Sequence, residues 1–158
     1  MNISDIWIYA HRRCSITPED LLATLGARGI HATFIYQYPS EQREPPDWTG
    51  GYLYLEGIDR AFVGIALCRQ DFDTRLELIR PLYDSLDPKI YEELRSMTVS
   101  YSIDLEGGQP EIELLQGMLM NLAEIITTDT GGYIILLQEH KVFSAKEFRI
   151  LATIQSPD

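Results

Sequence analysis

The chain has 158 residues, of which 13 are basic and 24 are acidic, so its formal net charge at pH 7 is −11. This length fits one domain whose core is large enough to fold without disulfides or a structural metal, and the acidic balance argues against binding to the phosphate backbone of nucleic acids. With two cysteines, no secretory signal and no apolar run long enough to cross a bilayer, the sequence predicts a soluble cytoplasmic protein that does not enter a membrane.

The first half of the chain predicts one helix and four strands. Residues 17–20, Thr-Pro-Glu-Asp, supply an N-cap, a proline at the first helical position and acidic groups in the first turn, and the helix ends near Gly26 or Gly29. Alternating or β-branched and aromatic sequence predicts the strands, which lie at residues 3–10, 30–37, 52–56 and 61–68. The first strand, the helix and the second strand form a β-α-β unit, and the last two strands form a hairpin through Gly57.

The middle of the chain predicts a helix and a strand after an ambiguous segment. Residues 71–84 fit either a strand or a helix interrupted by Pro81, and we favour the helix. Asp87 caps a further helix that begins at Pro88 and ends near Met97. Residues 98–105 then alternate polar and apolar side chains, which predicts a half-buried strand.

Residues 110–138 predict a core helix followed by a core strand. Pro110 begins the helix, Gly131-Gly132 ends it, and residues 133–137 form an unbroken apolar strand that we expect to be covered on both faces. The helix has one continuous apolar face at helical spacing, made of Leu115, Met118, Leu119, Leu122, Ala123 and Ile126.

The C-terminal region predicts a short hairpin and a terminal helix. The chain turns at residues 139–140. Ser144 and Glu147 then match a capping box, and Phe143 and Phe148 flank it at the positions of a hydrophobic staple. These signals predict a terminal helix from Ala145 to about Thr153.

Together these elements predict a single α+β domain in which a mostly antiparallel sheet of about five to seven strands packs against helices. An internal echo, residues 49–55 against 130–136, places Thr-Gly-Gly-Tyr at the start of a strand twice. The echo is compatible with a duplicated β-α-β element. The alternative is that Gly-Gly before an aromatic residue simply begins strands easily.

No sequence motif for catalysis, metal binding or a cofactor is complete in this chain. His11 and Cys14 have a His-x-x-Cys spacing, but no second closely spaced pair completes a zinc site with them, and His31 and Cys68 stand alone. A Cys-His nucleophile would also need an orienting third group in a recognisable context, which neither cysteine has. We therefore predict that the protein is not an enzyme and holds neither a metal nor a cofactor.

The loop from Pro39 to Thr49 is the candidate partner-binding segment, because it presents an aromatic residue among acidic residues and prolines. The alternative is a connector whose tryptophan folds back onto the domain. Asp71 and Asp73 add two carboxylates at a spacing that fits a divalent cation or, more simply, a solvated acidic loop. The predicted partner-binding residues are Glu41, Glu44, Asp47, Trp48, Tyr52, Asp71 and Asp73.

Residues 115–150 carry a series of short motifs: Leu-Ala at 122–123, Thr-Gly-Gly-Tyr-Ile at 130–134, a short hairpin, and Ser-x-x-Glu-Phe at 144–148. The series resembles small acidic bacterial immunity proteins, which neutralise toxins delivered by type VI or contact-dependent secretion systems. This resemblance implies a protein partner, a toxin domain whose active site the acidic surface covers, and it transfers no functional residue. The alternative function is a small-ligand-binding or sensor domain with a pocket between sheet and helices.

Overall fold

The structure, a computed structural model, describes residues 5–42, 50–57, 62–68, 77, 79–106, 113–136 and 138–149. Its strands are β1 (Asp5–Ala10), β2 (Ala32–Tyr36), β3 (Gly50–Leu55), β4 (Phe62–Cys68), β5 (Val99–Glu106), β6 (Tyr133–Leu136) and β7 (Lys141–Ser144). Its helices are α1 (Pro18–Ala27), α2 (Pro88–Ser96), α3 (Glu113–Thr130) and the helical residues 145–149, here α4, with 3-10 turns at Ser40–Gln42 and Arg80–Ser85.

The seven strands form one antiparallel sheet in the order β2-β3-β4-β5-β1-β6-β7. This arrangement confirms the predicted single α+β domain with a mostly antiparallel sheet. The β3–β4 and β6–β7 hairpins are present as predicted. The predicted β-α-β unit is present along the chain, since β1 and β2 run parallel, but three strands separate them in the sheet. The helix α1 therefore connects the centre of the sheet to its edge.

The larger hydrophobic core lies between the sheet and the helices α1 and α3. The apolar face predicted for α3 is buried over its whole length, and α1 adds Leu21 and Leu25. These helices cover the sheet face that carries Ile6, Ile8 and Ile134. Burial of this continuous apolar face is the main reason that an α3 of 18 residues is stable in this sequence.

A second, smaller core lies on the opposite face of the sheet, over β1 and β6. It is built from Tyr9, Ile79, Leu82, Leu94, Met97 and Ile135, which come from those strands, from the segment around Arg80–Ser85, and from α2 and its C-cap. Ile134 and Ile135 lie in different cores, so β6 is covered on both faces as predicted. Where the structure describes residues 71–84, at residue 77 and from 79 onward, the backbone is helical, which confirms the helical alternative there.

Strand β5 differs from the half-buried strand that its alternation predicts. Its apolar residues Tyr101 and Ile103 are buried, but so are Ser100 and Ser102 on the other face. Ser100 lies opposite Tyr9 of the second core, and serine is small enough to fit beneath that layer. The alternation predicted that the polar face of this central strand is exposed. That prediction is wrong at Ser100 and Ser102, which are buried.

The predicted capping signals of α1, α2 and α4 are confirmed, whereas the predicted start of α3 at Pro110 lies outside the described residues. Thr17 accepts a hydrogen bond from the Asp20 N–H at 3.1 Å, and Asp87 accepts one from the Lys89 N–H at 2.8 Å. In the capping box, the Ser144 hydroxyl accepts from the Glu147 N–H at 3.2 Å, and the Glu147 carboxylate accepts from the Ser144 N–H at 3.1 Å. The rings of the hydrophobic staple, Phe143 and Phe148, lie 5.7 Å apart.

The two Gly-Gly pairs of the sequence echo occupy different backbone positions. Gly50 and Gly51 are the first two residues of β3, whereas Gly131 lies in the turn after α3 with a φ of 69°. The likeness in sequence is not matched by a likeness in conformation at these four residues, and the duplication stays a prediction.

Candidate functional site

Two of the seven predicted partner-binding residues lie in the described part of the chain. Glu41 is exposed in the 3-10 turn that follows β2, and Tyr52 is half-buried on β3. Glu44, Asp47, Trp48, Asp71 and Asp73 lie outside the described residues. The structure therefore locates one end of the predicted surface, next to the outermost pair of strands.

The strand β2 is one of the two edge strands of the described sheet, the other being β7, and apolar side chains are exposed on it and directly after it. Ile35 of β2 is 50% exposed, and Tyr38, two residues after the strand, is 40% exposed. Among the described residues, only Leu114 joins them as an exposed large apolar side chain. Ile35 lies directly opposite Tyr52, and the sheet face here is the one that α1 and α3 leave uncovered. Exposed apolar side chains grouped in this way are typical of binding surfaces.

Backbone groups of β2 are also directed away from the sheet. The Gln37 N–H donates to the Gly50 carbonyl at 3.2 Å, and the Glu56 N–H donates to the His31 carbonyl at 3.0 Å. Because hydrogen-bonded and non-hydrogen-bonded pairs alternate in an antiparallel ladder, residues with odd numbers bond to β3. The N–H and C=O groups of Ala32 and Phe34 consequently point outward, toward any chain that approaches this edge.

The exposed sheet face continues from β2 toward the centre as a row of paired residues. Tyr52 lies opposite Gly64 of β4, and Gly64 lies opposite Asp104 of β5. A Cβ atom at Gly64 would lie 3.7 Å from the Tyr52 ring and 3.8 Å from the Glu106 carboxylate. The missing side chain at Gly64 thus leaves a shallow depression between an aromatic ring and a carboxylate.

Asp5 and Asp104 form a cross-strand carboxyl pair at the end of this row. Burial, followed by the hydrogen bond and the negative charge of Asp104, raises the pKa of Asp5 to about 6. The Oδ1 atom of Asp5 is buried and has no hydrogen-bond partner within the described ranges. Asp104 in turn accepts a hydrogen bond from the Ser102 hydroxyl at 2.8 Å. Two carboxyls alone do not define a cation site, and no group of three metal-ligating side chains occurs in the described residues.

Further carboxylates surround the β2 edge. Glu19 of α1 accepts a hydrogen bond from the Tyr36 hydroxyl at 2.7 Å, and it remains exposed. Glu41 and Glu56, which flank the two outer strands, are exposed as well. The exposed side chains Ile35 and Tyr38 and the half-buried Tyr52, with the acidic rim of Glu19, Glu41 and Glu56, are called the β2 surface.

The Cys14 region is the other place where chemically reactive side chains meet. Burial raises the pKa of the Cys14 thiol to about 12, so the thiolate that a nucleophile requires is scarce at neutral pH. The Cys14 N–H donates to the Tyr101 hydroxyl at 2.9 Å, and Ser15 donates from its N–H and its hydroxyl to Asp129 at 2.7 Å each. Burial would raise the pKa of Asp129, but the hydrogen bonds from Ser15, together with a hydrogen bond from Cys14 and the positive charge of Arg12, lower that pKa. This network fastens the loop after β1 to the end of α3.

A groove of about 430 Å³ lies between the end of α3 and the beginning of α4. Its lining residues are Glu124, Thr127, Thr128, Gly131, Gly132, Ser144, Ala145, Lys146 and Arg149. Glu124 is only 5% exposed and pairs with Arg28 at 2.7 Å. No sequence pattern predicted this groove, because Glu124 and Thr127 interrupt an otherwise apolar pattern and are typical of the solvent-facing side of a helix.

Comparison with protein-family models, with curated proteins and with solved structures found no match to this chain. Within the described part of the chain, no helix combines the length and the apolarity needed to cross a bilayer.

Proposed function

We propose that this chain is a cytoplasmic protein-binding protein that acts as an immunity protein, neutralising a secreted bacterial toxin by covering the toxin's active site. The observation that carries the proposal is the β2 surface, where a half-exposed isoleucine on an outermost strand lies beside a tyrosine within an acidic rim. The net charge of −11 and the resemblance to immunity proteins support the same function.

The chemistry of the β2 surface favours a basic partner that adds a strand to the sheet. The outward N–H and C=O groups of Ala32 and Phe34 are available to a partner backbone, and Ile35 and Tyr52 supply apolar contacts on the adjoining face. The acidic rim accelerates association with a positively charged surface. Pairing of two copies of this chain through β2 is disfavoured, because each copy carries a charge of −11.

The first experiment is co-expression with the product of the adjacent gene. The expected result is rescue of growth and a stable complex. If the two proteins neither form a complex nor restore growth, the immunity function is wrong.

The second experiment tests the surface in that complex. Ile35→Lys and Tyr52→Ala should each weaken binding by roughly tenfold or more, because apolar anchors dominate interface energies. Leu114→Lys makes the same kind of change at a 60% exposed leucine on α3 and should leave affinity unchanged. Equal effects of all three variants would contradict the assignment of the β2 surface.

The third experiment tests the outward backbone groups of β2 separately from its side chains. Ala32 is the first residue of β2, where proline is tolerated, so Ala32→Pro removes an outward N–H while the β2–β3 ladder remains. We expect weaker binding than for the control Ala32→Ser. If Ala32→Pro binds normally while Ile35→Lys does not, the partner binds the side chains and adds no strand.

A further inference from the structure

The row of residues that crosses the open face of the sheet extends from the β2 surface toward the centre. Tyr52, Gly64, Asp104 and Asp5 lie opposite one another on the neighbouring strands β3, β4, β5 and β1. These positions share the face that α1 and α3 leave uncovered, because the residues next to them in sequence pack into the larger core. The row therefore connects the proposed partner-binding surface with the carboxyl pair.

Gly64 forms a shallow depression in this row. A Cβ atom there would lie 3.7 Å from the Tyr52 ring and 3.8 Å from the Glu106 carboxylate, so both groups border the space that a side chain would fill. Asp104 lies directly opposite Gly64 and on the same face as Glu106, two residues away on β5. Gly64 and Asp104 are partly exposed, and Glu106 is exposed. A side chain of a partner can therefore reach the depression from solvent.

The carboxyls beside this depression lack a compensating cation within the described ranges. None of the ion pairs found there involves Asp5, Asp104 or Glu106. Ser102 donates a hydrogen bond to Asp104 at 2.8 Å, whereas the buried Oδ1 atom of Asp5 has no hydrogen-bond partner among the described residues. Burial and then Asp104 raise the pKa of Asp5, and no positive charge opposes them. The negative charge at this end of the row is thus unmatched in that part of the chain.

The arrangement fits an extended organic cation better than a metal ion. Among the described residues, no three metal-ligating side chains converge on one point. The carboxyls are instead spread along the row, since the Cα atoms of Gly64 and Asp5 are two strand intervals, about 10 Å, apart. A guanidinium group is planar and has five N–H donors in a fixed fork, so it can donate to separate carboxylates while it stacks on an aromatic ring. An ammonium group is a compact point charge and cannot do both.

We propose that the Gly64 depression binds an arginine side chain of the protein partner, which donates to Asp104 and Glu106 and stacks on the Tyr52 ring. The proposal rests on the proposed function, because it names the partner side chain that the same open face recognises. Charge complementarity selects the occupant, since the carboxylates supply the negative charge that a guanidinium needs. The partner then covers the sheet face from β2 as far as β5.

The first test needs no partner protein. The full chain is titrated by NMR with N-acetyl-arginine amide at a pH well above the pKa of Asp5. We expect saturable amide shifts centred on Gly64, Asp104 and Glu106. N-acetyl-citrulline amide has nearly the same shape without the charge and should produce no saturable shift, and N-acetyl-lysine amide should bind more weakly. Shifts as large with the citrulline compound, or equal binding of the lysine compound, would overturn the arginine assignment.

Two variants separate charge from shape in that titration. Asp104→Asn with Glu106→Gln should abolish the saturable shifts, whereas Asp84→Asn with Glu92→Gln removes two exposed carboxylates elsewhere and should preserve them. Gly64→Val fills the depression without altering charge and should also abolish the shifts. Circular dichroism checks that each variant keeps its fold. Saturable binding that persists in both depression variants contradicts the site.

The second test uses the complex with the product of the adjacent gene. Asp104→Asn with Glu106→Gln should weaken that complex by about tenfold or more, because charge-assisted hydrogen bonds are lost. A stable complex whose affinity is unchanged by this variant overturns the arginine site and leaves the immunity function standing. Saturable binding of the arginine compound without any complex supports the arginine site and counts against the immunity function.

Discussion

The two halves of the sheet differ in how many of their faces are covered. At β1 and β6 the helices α1 and α3 cover one face, and α2 with the Arg80–Ser85 turn covers the other. At β2 and β3 only the helix-facing side packs against the core, and Ile35 and Tyr52 lie on the other side. The same antiparallel sheet thus provides a rigid centre and an accessible edge. The proposed partner-binding surface and the doubly covered core therefore lie in different strands of one sheet.

The largest expected difference in stability between the two halves comes from replacing one glycine in each half with alanine. In Gly132→Ala the new Cβ would overlap the Tyr9 carbonyl oxygen and lie 3.1 Å from the Ala10 side chain. Backbone cannot move aside cheaply in the doubly covered half, so we expect a loss of about 3 kcal/mol or more in the free energy of unfolding. Urea denaturation measures this loss.

Two controls accompany that variant. Gly64→Ala in the outer half meets only ordinary contacts at 3.7 Å and beyond, and it should be nearly neutral. Gly117→Ala in α3 meets nothing within 4 Å and should stabilise the helix by about 0.5–1 kcal/mol. A neutral Gly132→Ala would show that the β1–β6 junction is loosely packed.

Truncation of a side chain in each half should give the next largest difference. Leu82→Ala opens a cavity in the second core and should cost about 2–4 kcal/mol in unfolding free energy. Ile35→Ala, at a 50% exposed position, should cost less than about 0.5 kcal/mol. Thermal and urea unfolding of both variants would check the pair, and similar costs would mean that the β2 surface belongs to the core.

The carboxyl pair of Asp5 and Asp104, at the boundary between the two halves of the sheet, should make the free energy of unfolding depend on pH. The folded-state pKa of Asp5, about 6, lies above its ordinary value of 3.8, so ionisation of Asp5 opposes folding. The penalty is absent below about pH 4 and complete above about pH 6. Asp5→Asn should therefore stabilise the protein by about 1–2 kcal/mol near pH 8 and by little near pH 4. Asp84→Asn removes an exposed charge and serves as control; an equal gain from both variants would exclude the carboxyl pair as the cause.

The smallest expected effect concerns a hydrogen bond that joins β6 to α2. The Tyr133 hydroxyl donates to the Glu93 carboxylate at 2.6 Å, and this bond, aided by burial, raises the pKa of Tyr133 to about 12. Tyr133→Phe should cost about 0.5–1.5 kcal/mol in unfolding free energy. In a spectrophotometric titration of the intact protein, Tyr133 should ionise later than an ordinary tyrosine. Because burial also raises the pKa of Tyr101, the phenylalanine variant should lose one late-titrating tyrosine rather than the whole late step, and an unchanged titration curve would contradict the bond.

Local signals in the sequence predicted the helices and hairpins well. The capping residues Thr17, Asp87 and Ser144 act through neighbours two or three positions away, so their partners are visible in the sequence itself. The apolar face of α3 follows from periodicity for the same reason. The strand order could not be predicted in the same way, because the neighbours of β1 are β5 and β6, which no local pattern identifies.

The candidate sites were predictable only in part. The alternation of β2 placed Ile35 on the side opposite Phe34, but only the sheet order shows that β2 is outermost. The burial of Glu124 could not be predicted from the sequence, because an acidic residue on a helix ordinarily faces water. Its partner Arg28 lies at the C-cap of another helix, α1. Likewise, Ser100 is covered by a second layer that its own alternation gives no reason to expect.

The central position of β1 has a consequence for the order in which the protein folds. Of the seven strands β1 is synthesised first, yet Asp5 pairs with Asp104, and Trp7 pairs with Ile135. The β2-β3-β4 meander contains mainly local contacts and can form early, whereas closure of the sheet around β1 waits for β6. During synthesis β1 therefore carries an unpaired hydrophobic edge for most of the chain's length, and this interval is when the nascent protein is most exposed to aggregation.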